Sequence, residues 1–133
     1  MKVEVIIERG KDGTFSAYIG SDNVPFGLLG DGGTVKETID DFYNSHEEMS
    51  AYYKSEGKKF PKLDFEFKYD MASFLAYYKK ILSLSGLETL TGVNQRQLSH
   101  YVTGHRKASK KTTKKIEKRL HEFGEELHQL AFV

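Results

Sequence analysis

The stretch LETLTGVNQRQLSHYVTG, Leu87 to Gly104, reads as two short helices joined by a tight turn. Leu87 and Leu90 give the first helix an apolar side, and Gly92 tolerates the positive φ that a sharp bend requires. Val93 plugs the angle between the helices, and Asn94 is a good N-cap for the second. In that second helix Leu98, Tyr101 and Val102 recur at three- and four-residue spacing and face inward. Gln95, Arg96, Gln97, Ser99 and His100 are left facing outward, and Gly104 stops the helix. Arg pairs with guanine and Gln with adenine through two hydrogen bonds each, so such a first turn suits base edges in a major groove. The bland alternative is an ordinary helical hairpin with a polar outside. The order Leu-rich helix, Gly-Val, polar cap, Gln/Arg-rich helix, Gly favours a helix-turn-helix with a recognition helix.

A basic loop, His105-Arg-Lys107, follows, and Ser109 caps a last helix reaching about Leu130. Its expected buried side is Ile116, Leu120, Phe123 and Leu127. Lys110, Lys111, Lys114, Lys115 and Lys118 lie on its exposed side and first turns. Lysine-rich faces are usually only solvated, but this one adjoins the recognition helix. The expected base contacts are therefore Gln95, Arg96, Gln97 and His100. The expected phosphate contacts are Asn94, Ser99, His105, Arg106, Lys107, Lys110 and Lys111.

Working back from there, Met71 to about Leu84 reads as a helix with Phe74, Tyr77, Tyr78 and Ile81 on its apolar side. The chain before it has strand periodicity. Lys2–Glu8 alternates Val3, Val5 and Ile7 with charge, a Lys-Asp-Gly tip makes a hairpin, and Thr14–Ile19 returns with Phe15, Ala17 and Ile19 buried. Phe26–Leu29 reads as a short third strand and Gly30-Asp-Gly-Gly-Thr34 as a turn. Thr34 then N-caps a long helix, Val35–Ser55, with Glu37 completing a capping box. Val35, Ile39, Phe42, His46, Met49 and Tyr53 form its core stripe. Leu63–Tyr69 alternates strictly. The fold class is thus α+β: a β-β-β-α-β domain over residues 1–70, then an all-α domain over residues 71–133. One sheet edge should remain exposed unless something covers it.

The 133 residues include no cysteine, which excludes a disulfide framework and thiolate metal sites and fits a cytoplasmic protein. No signal peptide and no membrane-length apolar run is visible, so no membrane partner is expected. The net charge of +1 hides an asymmetry: residues 1–70 carry 9 Lys/Arg against 14 Asp/Glu, a balance of −5, while residues 71–133 carry 11 against 5, a balance of +6. A basic second half points to nucleic acid, and an acidic first half to a basic partner.

Candidate chemistry is weak elsewhere. Gly30-Asp-Gly-Gly33 precedes a helix as phosphate loops do, but it lacks the lysine and the glycine spacing of such loops, so a tight turn is the better reading. His121-Glu122 with His128 has the wrong spacing for a zinc helix. His46 reads as a core histidine. Glu37, Asp40 and Asp41 read as solvated residues. No catalytic constellation, metal site or cofactor is expected, and the chain is not read as an enzyme.

The segment from Ala72 to Leu130 resembles the helix-turn-helix of phage-repressor-like regulators. With the whole order in view, the chain resembles the HicB-type antitoxins of bacterial toxin–antitoxin operons. The resemblance rests on the opening strand pair with Phe15-Ser-Ala-Tyr18 and on Gly-Asp-Gly-Gly-Thr34 leading into the long helix. Ala72-Ser-Phe-Leu-Ala-Tyr-Tyr78, Gly92-Val-Asn94, Tyr101-Val-Thr-Gly104 and Lys114-Lys-Ile116 carry it through the second half. It implies a degenerate, inactive RNase H-like first domain that holds a small basic HicA-type toxin cleaving mRNA. It implies a second domain that binds the operon's own double-stranded operator DNA as a homodimer or higher homo-oligomer and represses transcription. Two other readings stay open: a one-component regulator whose first domain senses a small ligand, and a metal-dependent enzyme acting on nucleic acid.

Overall fold

The computed structural model describes residues 1–133. The chain divides into two compact units, Met1–Asp70 and Met71–Val133. The element order is β1 (Lys2–Arg9), β2 (Phe15–Ile19), β3 (Leu29–Gly32), α1 (Val35–Ser55), β4 (Asp64–Tyr69), α2 (Met71–Tyr78), α3 (Leu84–Thr91), α4 (Gln95–Val102) and α5 (Lys110–Gln129). This is the expected α+β order, a β-β-β-α-β sheet unit followed by four helices. No helix is long and apolar enough to cross a membrane.

In the first unit the sheet order is β3-β2-β1-β4, with β1 antiparallel to β2 and parallel to β4. The register puts Val3 beside Phe65, Val5 beside Phe67 and Ile7 beside Tyr69. On the other side it pairs Ile7 with Ala17, and Ala17 with Gly30. Because side chains alternate along a strand, these residues form one apolar face. Helix α1 covers it. Phe42 is fully buried and meets Phe65 and Phe67 edge-on, with centroids 5.0 and 5.6 Å away.

Two expectations fail here, for one reason. The third strand is Leu29–Gly32 rather than Phe26–Leu29, so Gly30 to Gly32 is strand and not turn. Glycine is a poor strand former, but α1 lies too close for a side chain. A Cβ on Gly30 would sit 2.4 Å from the Thr38 carbonyl oxygen and 2.5 Å from the Phe42 nitrogen. On Gly32 it would sit 2.7 Å from the Thr38 nitrogen. The same approach explains Thr38, fully buried and bonded to the Thr34 carbonyl at 2.7 Å, which the expected stripe omitted.

Helix α1 also supplies hydrogen bonds to the edge of β3. Ser45 Oγ accepts from the Leu29 N–H at 3.3 Å, Asp41 Oδ2 from Asp31 at 2.9 Å and Glu37 Oε2 from Gly33 at 3.0 Å. Alternate strand residues rise roughly 6.7 Å and four helical residues roughly 6 Å, so the two series stay in step. Glu37 and Asp41 are therefore edge partners of the sheet and not merely solvated. Thr34 caps α1 as expected, accepting from the Glu37 N–H at 3.1 Å, but the reciprocal bond from Glu37 goes to Gly33 instead of Thr34.

In the second unit the core is Leu75, Leu87, Val93, Leu98, Tyr101 and Ile116. Helix α2 stops at Tyr78, short of the expected Leu84. The backbone turns at 79–83, and Ser83 caps α3 by accepting from the Gly86 N–H at 3.0 Å. Leu75 takes the core place expected for Ile81, which is 68% exposed. Helix α5 ends at Gln129, and Leu127, expected inside, is 52% exposed because the core cluster reaches along α5 only as far as Leu120.

Gly30→Ala should destabilise the fold by about 1–3 kcal/mol, the usual range for overpacking. Gly27→Ala, with nothing within 4 Å, should change stability little. Urea unfolding of the two variants checks both. On the face opposite α1 the Tyr18 hydroxyl donates to Glu8 at 2.5 Å, and this bond, with some burial, pushes the phenol up to about 12. Its contribution is complete below an unfolded value of about 10 and disappears as pH rises through about 12. Tyr18→Phe should therefore flatten the loss of stability across that interval in alkaline unfolding curves.

Candidate nucleic-acid interface

The corner between α3 and α4 is three residues long. Gly92 closes α3 in the left-handed region at φ 76°, and its N–H donates to Glu88. Val93, only 6% exposed, wedges between the helices. Its N–H donates to Thr91 Oγ1 at 3.1 Å, and the same hydroxyl donates to the Leu87 carbonyl at 2.6 Å. Asn94 caps α4, its Oδ1 accepting from the Arg96 N–H at 2.8 Å. Glu88 Oε1 accepts from the Gln95 N–H at 3.1 Å, so α3 supplies a second cap to α4. A further tie joins α5 to α3, where Arg119 Nε donates to the Leu90 carbonyl at 3.3 Å.

This corner fixes which side chains α4 presents. Leu98 and Tyr101 are buried, while Gln95 and Arg96 are exposed on the first turn. An open concavity of about 650 Å³ is lined by Asn94, Gln95, Arg96, Gln97, His100 and Arg106. The basic loop reaches it because the Arg106 N–H donates back to the His100 carbonyl at 3.2 Å. The His100 and His105 rings meet edge-on, with centroids 4.9 Å apart. The lining is polar, and it contains two guanidiniums and no carboxylate.

The expected contact residues are not equivalent in this geometry. Gln95 and Arg96 are free at the surface. Gln97 is half-buried, its Nε2 donating to the Tyr101 hydroxyl at 2.6 Å, so its amide is partly committed to the core. His100 is half-buried but lines the concavity. The side chain of Asn94 is engaged as the cap, and Ser99 is half-buried outside the lining. His105, Lys107, Lys110 and Lys111 are exposed, also outside it.

Lys110 and Lys111 open α5, whose first turn carries no acidic residue and whose cap is Ser109, accepting from the Thr112 N–H at 3.2 Å. Cations at a helix N-terminus work against the macrodipole, and the end is correspondingly favourable for an anion. Glu88 and Thr91 were not legible as parts of this site. Glu88 lies seven residues before its partner across a turn, a spacing that no capping pattern covers.

The arrangement defines a helix–turn–helix within a two-unit α+β chain, with a polar, cationic first turn and loop around one concavity. Comparison of the chain with protein families, curated proteins and solved structures finds no match.

Replacing the buried Thr91 by Val strands the Val93 N–H. It should cost about 1–3 kcal/mol in denaturant unfolding, the usual range for an orphaned buried donor. Thr89→Val, at an exposed position of the same helix, should be near neutral.

Proposed function

We propose that the chain is a DNA-binding antitoxin of the HicB type. In this reading α4 enters the major groove of operator DNA upstream of its own gene, and the chain acts as a homodimer that represses transcription. The first unit holds a small basic partner, a HicA-type toxin that cleaves mRNA. The observation that carries the reading is the α3–α4 corner. It sets Gln95 and Arg96 outward on a capped first turn, beside Arg106. That is the chemistry of base-edge recognition flanked by phosphate contacts.

The partner half of the reading is supported by charge and surface. The sheet face away from α1 carries Glu4, Glu8, Asp31, Asp64 and Glu66 around the cross-strand row Ile6, Tyr18 and Leu29. Leu29 is 66% exposed. Glu4 and Glu66 are register neighbours, a like-charge pairing moderated by the Lys68 ion pair to Glu4 at 2.8 Å. An acidic face with an apolar row suits a basic protein.

Two measurements test the halves separately. Arg96→Ala should cost about 1–3 kcal/mol on the operator and relax the preference at one base pair. Lys110→Ala should weaken operator and random DNA alike and lower the salt slope by about one. Equal losses from both variants on both DNAs would contradict recognition by α4. For the partner, a tagged chain co-expressed with its flanking genes should retain a small basic protein whose toxicity it suppresses. If the chain is recovered alone yet still binds its upstream DNA, the first unit is better read as a ligand sensor.

A further inference from the structure

We infer that Tyr101 holds the side-chain amide of Gln97 with its oxygen outward, so that α4 selects an amino-bearing base, adenine or cytosine, at one position of the operator. This selection rests on the DNA-binding reading above and adds to it the base chemistry that one side chain accepts.

Gln97 and Tyr101 stand four residues apart on α4, which sets their side chains on one side of the helix. Tyr101 is 4% exposed, and its ring belongs to the core with Leu75, Leu87 and Leu98. The phenol oxygen is therefore a fixed point. Gln97 Nε2 donates to it at 2.6 Å. Gln97 is half-buried and also lines the concavity with Arg96 and Arg106. Its Oε1 has no hydrogen-bond partner within the chain. The nitrogen of the amide is thus tied to the core, and the oxygen is left for a ligand. The surroundings favour this orientation. An amide oxygen is the negative end of the group's dipole, and the concavity holds two guanidiniums and no carboxylate.

In the major groove adenine and cytosine present amino donors, N6 and N4, where guanine and thymine present the acceptors O6 and O4. A freely turning glutamine amide can meet either kind, because half a turn about its last torsion exchanges donor and acceptor. Gln95 is such a residue, exposed and with no side-chain partner in the chain. Gln97 is not. Its outward oxygen accepts from an amino group and is repelled by a keto oxygen. The bond to Tyr101 also removes rotamer freedom before DNA arrives, so less entropy is lost on contact. Tyr101 is a positioning residue that acts on the base through Gln97.

The test measures binding of the full chain to duplex DNA from upstream of its gene, with each base pair replaced in turn. The position read by Gln97 is the one whose preference Gln97→Ala removes. There the wild type should favour adenine or cytosine over guanine or thymine by roughly fivefold, the factor of one net hydrogen bond. Tyr101→Phe keeps the ring in the core and releases the amide, so that preference should fall to within about twofold. The preference set by Arg96 should stay. A tyrosine with only a structural role would instead weaken all duplexes alike. Gln97→Glu added to Tyr101→Phe should restore the selection, because a carboxylate offers only acceptors. A preference for guanine or thymine there, a selection indifferent to Tyr101→Phe, or no position altered by Gln97→Ala overturns the inference while Arg96-dependent recognition stands. Failure of every chain to bind the duplex overturns the DNA-binding reading and this selection with it.

Discussion

The wedge of Val93 between α3 and α4 is the constraint on which the presentation of α4 depends. A three-residue corner cannot hold two helices at a fixed angle unless its backbone groups are satisfied and its one apolar side chain is locked. Thr91 does the first by bonding forward to the Val93 N–H and back to the Leu87 carbonyl. Burial of Val93 against Leu87, Leu98 and Ile116 does the second. Gly92 supplies the left-handed φ that a β-branched or bulky residue resists. With those three residues set, the exposed side of α4 follows from helical geometry.

A comparable closeness organises the first unit, by hydrogen bonds as much as by packing. Helix α1 lies over glycines of β3 and lends Ser45, Asp41 and Glu37 to its edge donors. An edge strand with unpaired N–H groups is a template for another strand. Here those donors at the β3 edge are taken by side chains of α1, so this edge offers no row of open donors to another strand.

Legibility in the sequence tracked how local each determinant was. The alternation in β1 and β4, the Thr34 and Ser109 caps, the full span of α1 and the Gly92-Val93-Asn94 corner are short-range patterns, and they placed the elements. Gly30–Gly32 misled because glycine marks a turn and a close approach with the same letter, and only the position of Phe42 and Thr38 separates the two. Ile81 and Leu127 misled because periodicity says which side of a helix is apolar, not how far the neighbouring core extends. At the candidate interface Gln95, Arg96, His100 and Arg106 were legible from chemistry and spacing. The engagement of Gln97 with Tyr101, and of Glu88 with Gln95, depended on side-chain conformations that no spacing reveals.

The most direct measurement of the central claim is backbone amide chemical-shift mapping of the full chain titrated with duplex DNA from upstream of its gene. The account predicts that perturbations concentrate at Gln95, Arg96, His100, Arg106 and the first turn of α5, with β1 to β4 unchanged. Perturbations confined to the sheet unit, or none in α4 under conditions where the duplex binds, would contradict it.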